Sequence, residues 1–250
     1  MRLHQQSLIL VADIERIAMM NVQYSVGQSK PCPVHDFALF ATLGDTFSDA
    51  LKVVPSDSVE YAATDTIYSA GVSAQHIYLL RDGYVKLFKT TASGKDQIIR
   101  VVKAGEIFGF DGLVDIRYNH SAMPLKHATV CRIAVDNLDM LGARRPEVER
   151  LIMVRCIKEL QHADERLLEL GAKRSDERLA SFLLGWCNAA NRWTPLILSR
   201  LEIAQLLGLT IETISRLFAQ WKREGLLEEK QQAIQILDRH KMKQVADSNV

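Results

Sequence analysis

The stretch SRLEIAQLLGLTIETISRLFAQWKREG, from Ser199 to Gly225, admits few folds, because each of its two periodic segments carries its own start signal. Ser199 with Glu202 three residues on is a capping box: hydroxyl and carboxylate satisfy backbone donors that a helix start leaves unpaired. Gly208 supplies the positive-φ turn that ends the first helix, and Thr210 caps the second. In that second helix Ile214, Leu217, Phe218 and Trp221 fall at i, i+3, i+4 and i+7, which makes them a buried stripe. The other face begins with Glu212, Ser215 and Arg216, all within the first turns. Short polar and bidentate residues at the front of a second helix suit a recognition helix in a major groove. Glutamate can accept from cytosine N4, and arginine can fork onto guanine O6 and N7. Thr210 and Thr213 are further candidate DNA contacts, and Arg200, Lys222 and Arg223 are candidate phosphate contacts. The competing reading is an ordinary helical hairpin with a solvated polar face.

Composition narrows the class. The 250 residues are 48% hydrophobic and 24% charged, a globular profile with enough chain for one large or two small cores. Net charge is only +1 overall, and 12 Lys and Arg against 9 Asp and Glu leave +3 from Ala172 to Val250. DNA affinity must therefore come from placed contacts and modest phosphate attraction. The apolar run Ser7 to Met20 is broken by Asp13, Glu15 and Arg16, so it reads as neither a membrane span nor a signal peptide, and a cytoplasmic protein is expected. Cys32, Cys131, Cys156 and Cys187 are scattered with no C-x-x-C pair, which argues against a disulfide framework and for small buried hydrophobes or sensors.

Ser7 to Met20 predicts a short helix, Ser25 to Pro33 a loop and Asp45 to Val54 a helix ending at Pro55. From about Val59 to Val135 the pattern changes to short strands. QHIYLLRDGYVKLFK, Gln75 to Lys89, predicts a hairpin turning at Asp82-Gly83. Turns follow at Thr91 to Lys95 and Lys103 to Glu106, with strands over Gln97 to Val102 and Ala128 to Val135, so a sandwich or barrel is expected. Pro146 opens a long helix to Leu170, closed by Gly171. Within it Met153, Cys156, Leu160, Ala163, Leu167 and Leu170 are spaced 3, 4, 3, 4, 3, an uncharged coiled-coil seam. Ile152, Ile157 and Leu168 form a second stripe for packing on the strands, which leaves the seam for a homodimer. Ser175 caps a further helix with Leu179, Phe182, Leu183 and Trp186 inward. Leu226 to Leu237 reads as a two-stranded wing, and the last dozen residues read as a loose tail.

Glu212 to Arg216, E-T-I-S-R after G-L-T, resembles the recognition helix of the CRP/FNR superfamily of bacterial transcription regulators, the FNR branch above all. Arg81 to Lys86 and Gly105 to Phe110 resemble segments of that superfamily's β-roll sensor. The resemblance implies an α+β fold: an N-terminal segment (1–45), a β-roll or cyclic-nucleotide-binding-like jelly roll (46–145), a dimerisation helix (146–171) and a winged helix-turn-helix (172–250). It implies double-stranded DNA, a second copy of the chain and RNA polymerase as partners, an activator role and a TTGA-containing half-site, with no membrane.

Family members that bind cyclic nucleotides use a glutamate for the ribose and Arg-Ser for the phosphate, and the matching positions here are Phe110 and His120-Ser121. Neither offers what that ligand needs, so cAMP is not expected. The oxygen-sensing branch holds a 4Fe-4S cluster on four cysteines. Cys131 matches the β-roll ligand, but Cys32 is alone near the start, and four-thiolate ligation is not expected. A mixed metal site of Cys32, His35 and Cys131, a haem, a small ligand or a Cys32/Cys131 thiol switch stay open as signals. Without a cluster, a dimer that forms and binds DNA in air is expected. No Ser-His-Asp order, H-E-x-x-H, phosphate loop or crowded carboxylate pair appears, so enzymatic function is not expected.

Overall fold

In the computed structural model, which describes residues 30–31, 56–113, 117–137, 146–187 and 192–247, the N-terminal strands make one antiparallel sheet. They are β1 (Lys30–Pro31), β2 (Ser56–Tyr61), β3 (His76–Thr90), β4 (Asp96–Lys103), β5 (Ile107–Phe108) and β6 (Ser121–Ala134), ordered β1-β2-β6-β3-β4 with β5 on β3. The roll's interior is lined by Val59, Leu80, Val85, Val102, Phe108 and Val130, together with the stacked rings of Tyr68, Tyr78 and Tyr118. The predicted helices over Ser7 to Met20 and Asp45 to Val54, and the candidates Cys32 and His35, lie outside the described residues. Within the predicted loop, Lys30–Pro31 pair with β2 instead.

The Asp82-Gly83 hairpin does not occur. β3 runs straight through, and its register against β6 shifts between Leu80 and Asp82 and again between Gly83 and Val85. Gly83 has φ +88°, and a Cβ there would lie 2.2 Å from the His127 carbonyl oxygen. The glycine thus serves a bulge and a close backbone approach, which in sequence look the same as a hairpin turn. The hairpin forms eight residues later, where Thr91 donates its N–H to the Lys95 carbonyl at 2.8 Å.

Helix α1 (Pro146–Ala172) starts at the predicted proline, but Gly171 lies inside it rather than beyond its end. The assignment of Ile157 and Leu168 to packing on the strands is also corrected: they are 50% and 67% exposed. Charge attaches α1 to the roll instead. Arg100 of β4 bonds Glu159 at 2.5 Å and Glu106 at 3.1 Å, and Arg155 lies 2.6 Å from the same Glu159.

The C-terminal unit comprises α2 (Ser175–Trp186), β7 (Thr194–Pro195), α3 (Arg200–Leu207), α4 (Ile211–Arg223), β8 (Leu227–Lys230), β9 (Ala233–Ile236) and α5 (Arg239–Ala246). Ser175 is the first helical residue rather than the cap; the Glu177 carboxylate accepts the Arg174 N–H at 2.9 Å. The wing gains a third strand, because β7 pairs with β9. Of the tail read as loose, Arg239–Ala246 form α5, capped by Asp238 and anchored by Met242, which is fully buried. Two buried side chains, Met242 and Ala246, outweighed their polar neighbours. The core of this unit continues into the roll through Ile98, Tyr84 and Phe88, and Lys86 of β3 bonds Glu202 of α3 at 2.9 Å.

Candidate nucleic-acid interface

The helix-turn-helix is built by the devices its residues announce. Ser199 Oγ accepts the Glu202 N–H at 3.2 Å, and Glu202 accepts the Ser199 N–H at 2.9 Å. Gly208 sits at φ 63°, ψ 39° and donates its N–H to the Ala204 carbonyl. Thr210 Oγ1 accepts the Thr213 N–H at 3.2 Å and donates to the Thr213 hydroxyl, so these two candidate contacts cap α4 while facing outward at its start. Ile214, Leu217, Phe218 and Trp221 are all buried. A fully buried side chain of this size contributes about 1.5–3 kcal/mol, several times a helix-propensity difference of about 0.5 kcal/mol per residue. Burial of that stripe therefore decides which face of α4 turns outward.

That outward face carries Glu212, Ser215 and Arg216, all exposed. Its own backbone N–H holds the Glu212 carboxyl below its ordinary value, so it stays an acceptor. The flanking cations are less free than the sequence suggests. Arg200 lies over the Phe218 ring, 3.3 Å from its centroid, and pairs with Glu229 of the wing. Lys222 is 3.6 Å from the same Glu229. Sequence reading had no signal for this, since Glu229 meets both only after the wing folds back.

Glu202 joins cap and roll. Burial pushes its carboxyl up, but the Ser199 N–H, the Lys86 ammonium and the Ser199 hydroxyl outweigh burial and hold it below the ordinary carboxylate value of 4.5. A lowered folded-state pKa means stability that is complete above 4.5 and lost as pH falls through the folded value. Glu202→Gln should therefore melt below the wild type at pH 7, and the gap should close as pH falls below about 4.5. Thermal melts across that range check it; a gap independent of pH would refute the ionic role.

Of the seam on α1, Met153, Leu160 and Leu167 are 63%, 62% and 69% exposed, and Cys156 and Ala163 are exposed as well. Leu170 is the exception. It is half-buried, 3.6 Å from where a Cβ on Gly208 would lie, and so contacts the helix-turn-helix.

A cavity of about 830 Å³ lies between the roll, α1 and α2, bordered by Arg100, Phe110, Asp111 and His120 of the roll, Glu159 and Arg166 of α1, and Phe182 and Trp186 of α2. His120 bonds the Tyr68 hydroxyl at 2.8 Å and sits 3.3 Å from Asp111. Burial pushes His120 below its ordinary pKa despite Asp111, so the ring is neutral near pH 7. Ser121 Oγ accepts the Ala70 N–H at 2.9 Å. Cys131 is fully buried, as a small strand hydrophobe would be, and is disulfide-bonded; Cys156, on the exposed face of α1, and Cys187 are free. Among the described residues no three His, Cys, Asp or Glu side chains converge as a metal site, and no helix is long and apolar enough to cross a membrane.

Residues 177–245 match the Crp-like helix-turn-helix domain, and residues 58–145 match the cyclic nucleotide-binding domain. Electron transport regulator A of Shewanella oneidensis is 32% identical over 73% of this chain and 75% of its own length. The nitrogen fixation regulation protein FixK of Bradyrhizobium diazoefficiens is 32% identical over 72% of this chain and 78% of its own. The structure of FixK2 from Bradyrhizobium japonicum superposes with a TM-score of 0.72 at 26% identity, over 78% of this chain and 99% of that one.

Proposed function

Because the chain belongs to the CRP/FNR family of DNA-binding transcription regulators, we propose that it acts in the cytoplasm as a homodimer on a near-palindromic, TTGA-containing operator, without cyclic nucleotide or iron–sulfur cluster. Its relatives are transcription regulators, not enzymes. The observation that carries the reading is the outward E-x-x-S-R face of α4, held open by the four buried residues behind it. The exposed seam of α1 supports a two-fold dimer, whose recognition helices would meet half-sites about one helical turn apart. RNA polymerase is the further partner this role requires.

The cavity supports the negative half of the proposal. Phe110 offers ribose hydroxyls no acceptor, and where a phosphate would need a fixed cation it meets a neutral His120 beside the Asp111 carboxylate. Against a four-thiolate cluster stands the placement of the thiols: Cys131 lies on β6, while Cys156 and Cys187 lie on α1 and in the C-terminal unit. The Cys131 disulfide favours a second reading, in which redox state sets DNA affinity.

Fluorescence anisotropy of aerobic protein on a TTGAT-N4-ATCAA duplex against a scrambled one, at fixed salt, tests the proposal. A preference of about a hundredfold, well within the range for specific sites, supports it, and weak equal binding counts against it. Repeating the titration with reductant decides the redox reading. On the same duplex Arg216→Ala should cost about 1–3 kcal/mol and relax preference at the base it reads. Equal loss on operator and scrambled DNA would show that Arg216 touches only phosphate.

A further inference from the structure

Arg178 stands where the dimer helix, the support helix α2 and the helix-turn-helix meet. Its Nε donates to the Lys173 carbonyl at 2.8 Å, just past the end of α1. Its Nη1 donates to the Leu207 carbonyl at 3.3 Å, the last residue of α3. The same Nη1 lies 3.8 Å from where a Cβ on Gly208 would sit, at the turn that leads into α4, and Leu170 of α1 lies 3.6 Å from that same point. Among the described residues no carboxylate pairs with Arg178. The guanidinium instead faces the carbonyl ends of two helices, where partial negative charge collects. Its planar fork can hold two carbonyls at fixed angles, which a single ammonium cannot.

We propose that Arg178 is the positioning residue that locks the recognition helix to the dimer helix and thereby sets the operator spacing this protein accepts. The inference rests on the dimer and operator reading given above. In a two-fold dimer the α1 seam defines the axis, so slack between α1 and α3 appears at both recognition helices. A rotation of about 10° over a lever of about 17 Å, half the separation of half-sites one turn apart, moves each recognition helix about 3 Å. That is nearly one base-pair step. The Lys86–Glu202 pair and the bond from Lys126 to Gln232 tie the C-terminal unit to the sheet, whereas the Arg178 bridge ties it to α1.

The test is operator affinity of full-length wild type, Arg178→Met and Arg178→Lys on palindromes with N3, N4 and N5 spacers. Wild type should lose about tenfold or more when the spacer changes by one base pair, a typical coupling between linked elements. Arg178→Met, which keeps the apolar stem, should discriminate among spacers by less than about threefold while keeping its rank order among half-site base changes, since base contacts are untouched. Arg178→Lys should fall between. An unchanged spacer preference overturns the proposal, and so does equal weakening on every spacer, the signature of a merely structural residue. Wild type that does not favour the palindrome over scrambled DNA would instead sink the operator reading. Amide exchange then decides Arg178 alone: exchange should speed up in the Leu170–Arg174 and Leu207–Thr210 segments of Arg178→Met, and unchanged rates there overturn the proposal. If Arg178→Met fails to fold by circular dichroism, Arg178→Lys carries both readouts.

Discussion

Leu160→Glu should leave each chain folded and abolish the dimer. Leu160 is 62% exposed in the single chain and sits mid-seam with uncharged neighbours on either side. Replacing it costs the isolated fold little, but it sets two carboxylates face to face across the two-fold axis, desolvated and unpaired. The variant should sediment as a monomer at micromolar concentration, and its affinity for the palindrome should fall by about 10²–10⁴, the avidity lost when two linked sites become one. Binding to scrambled DNA should change far less, because phosphate attraction needs no two-fold register. Wild-type protein that is already monomeric in air would refute the dimer, and a Leu160→Glu dimer would move the interface elsewhere.

Gly83→Ala should be the most damaging small change in the roll. The backbone there has φ +88°, and the new Cβ would lie 2.2 Å from the His127 oxygen and 3.0 Å from the Ala128 Cα. Both obstacles are backbone atoms of β6: Ala128 is paired to Tyr61 of β2 and to Gly83 itself, and His127 immediately precedes it, so the new Cβ cannot be accommodated without disturbing that three-strand register. Left-handed geometry alone costs about 1–2 kcal/mol for an L side chain, and with the displacement of β6 the total should reach about 3–5 kcal/mol. Chemical denaturation can read the damage by domain. Trp186, Trp193 and Trp221 all lie in the C-terminal unit, while the stacked tyrosines lie in the roll. The tyrosine circular-dichroism signal should be lost at much lower denaturant than in wild type. A variant as stable as wild type would show that β6 yields, and that Gly83 is a convenience of the bulge rather than a requirement.

What the sequence determined by itself was whatever depends on near neighbours along the chain. The capping box of Ser199 and Glu202, the left-handed Gly208, the Thr210 cap and the stripe Ile214, Leu217, Phe218 and Trp221 are set within one or two helical turns, where spacing alone dictates geometry. The outward face of Glu212, Ser215 and Arg216 follows from that stripe. The start of α1 at Pro146 was legible for the same reason.

What only the tertiary structure decided depends on partners distant in sequence. Gly83 belongs to a bulge because β6 passes beside it, forty-odd residues later, and nothing local separates that from a turn. α5 forms because Met242 finds a core to enter. Arg200 and Lys222 are drawn toward Glu229 by the fold of the wing, and Arg178 acquires two carbonyls that lie five and 29 residues away. Local hydrogen bonding and periodicity are encoded at fixed offsets; a long-range contact exists only once packing has brought its two ends together, and packing is a property of the whole chain.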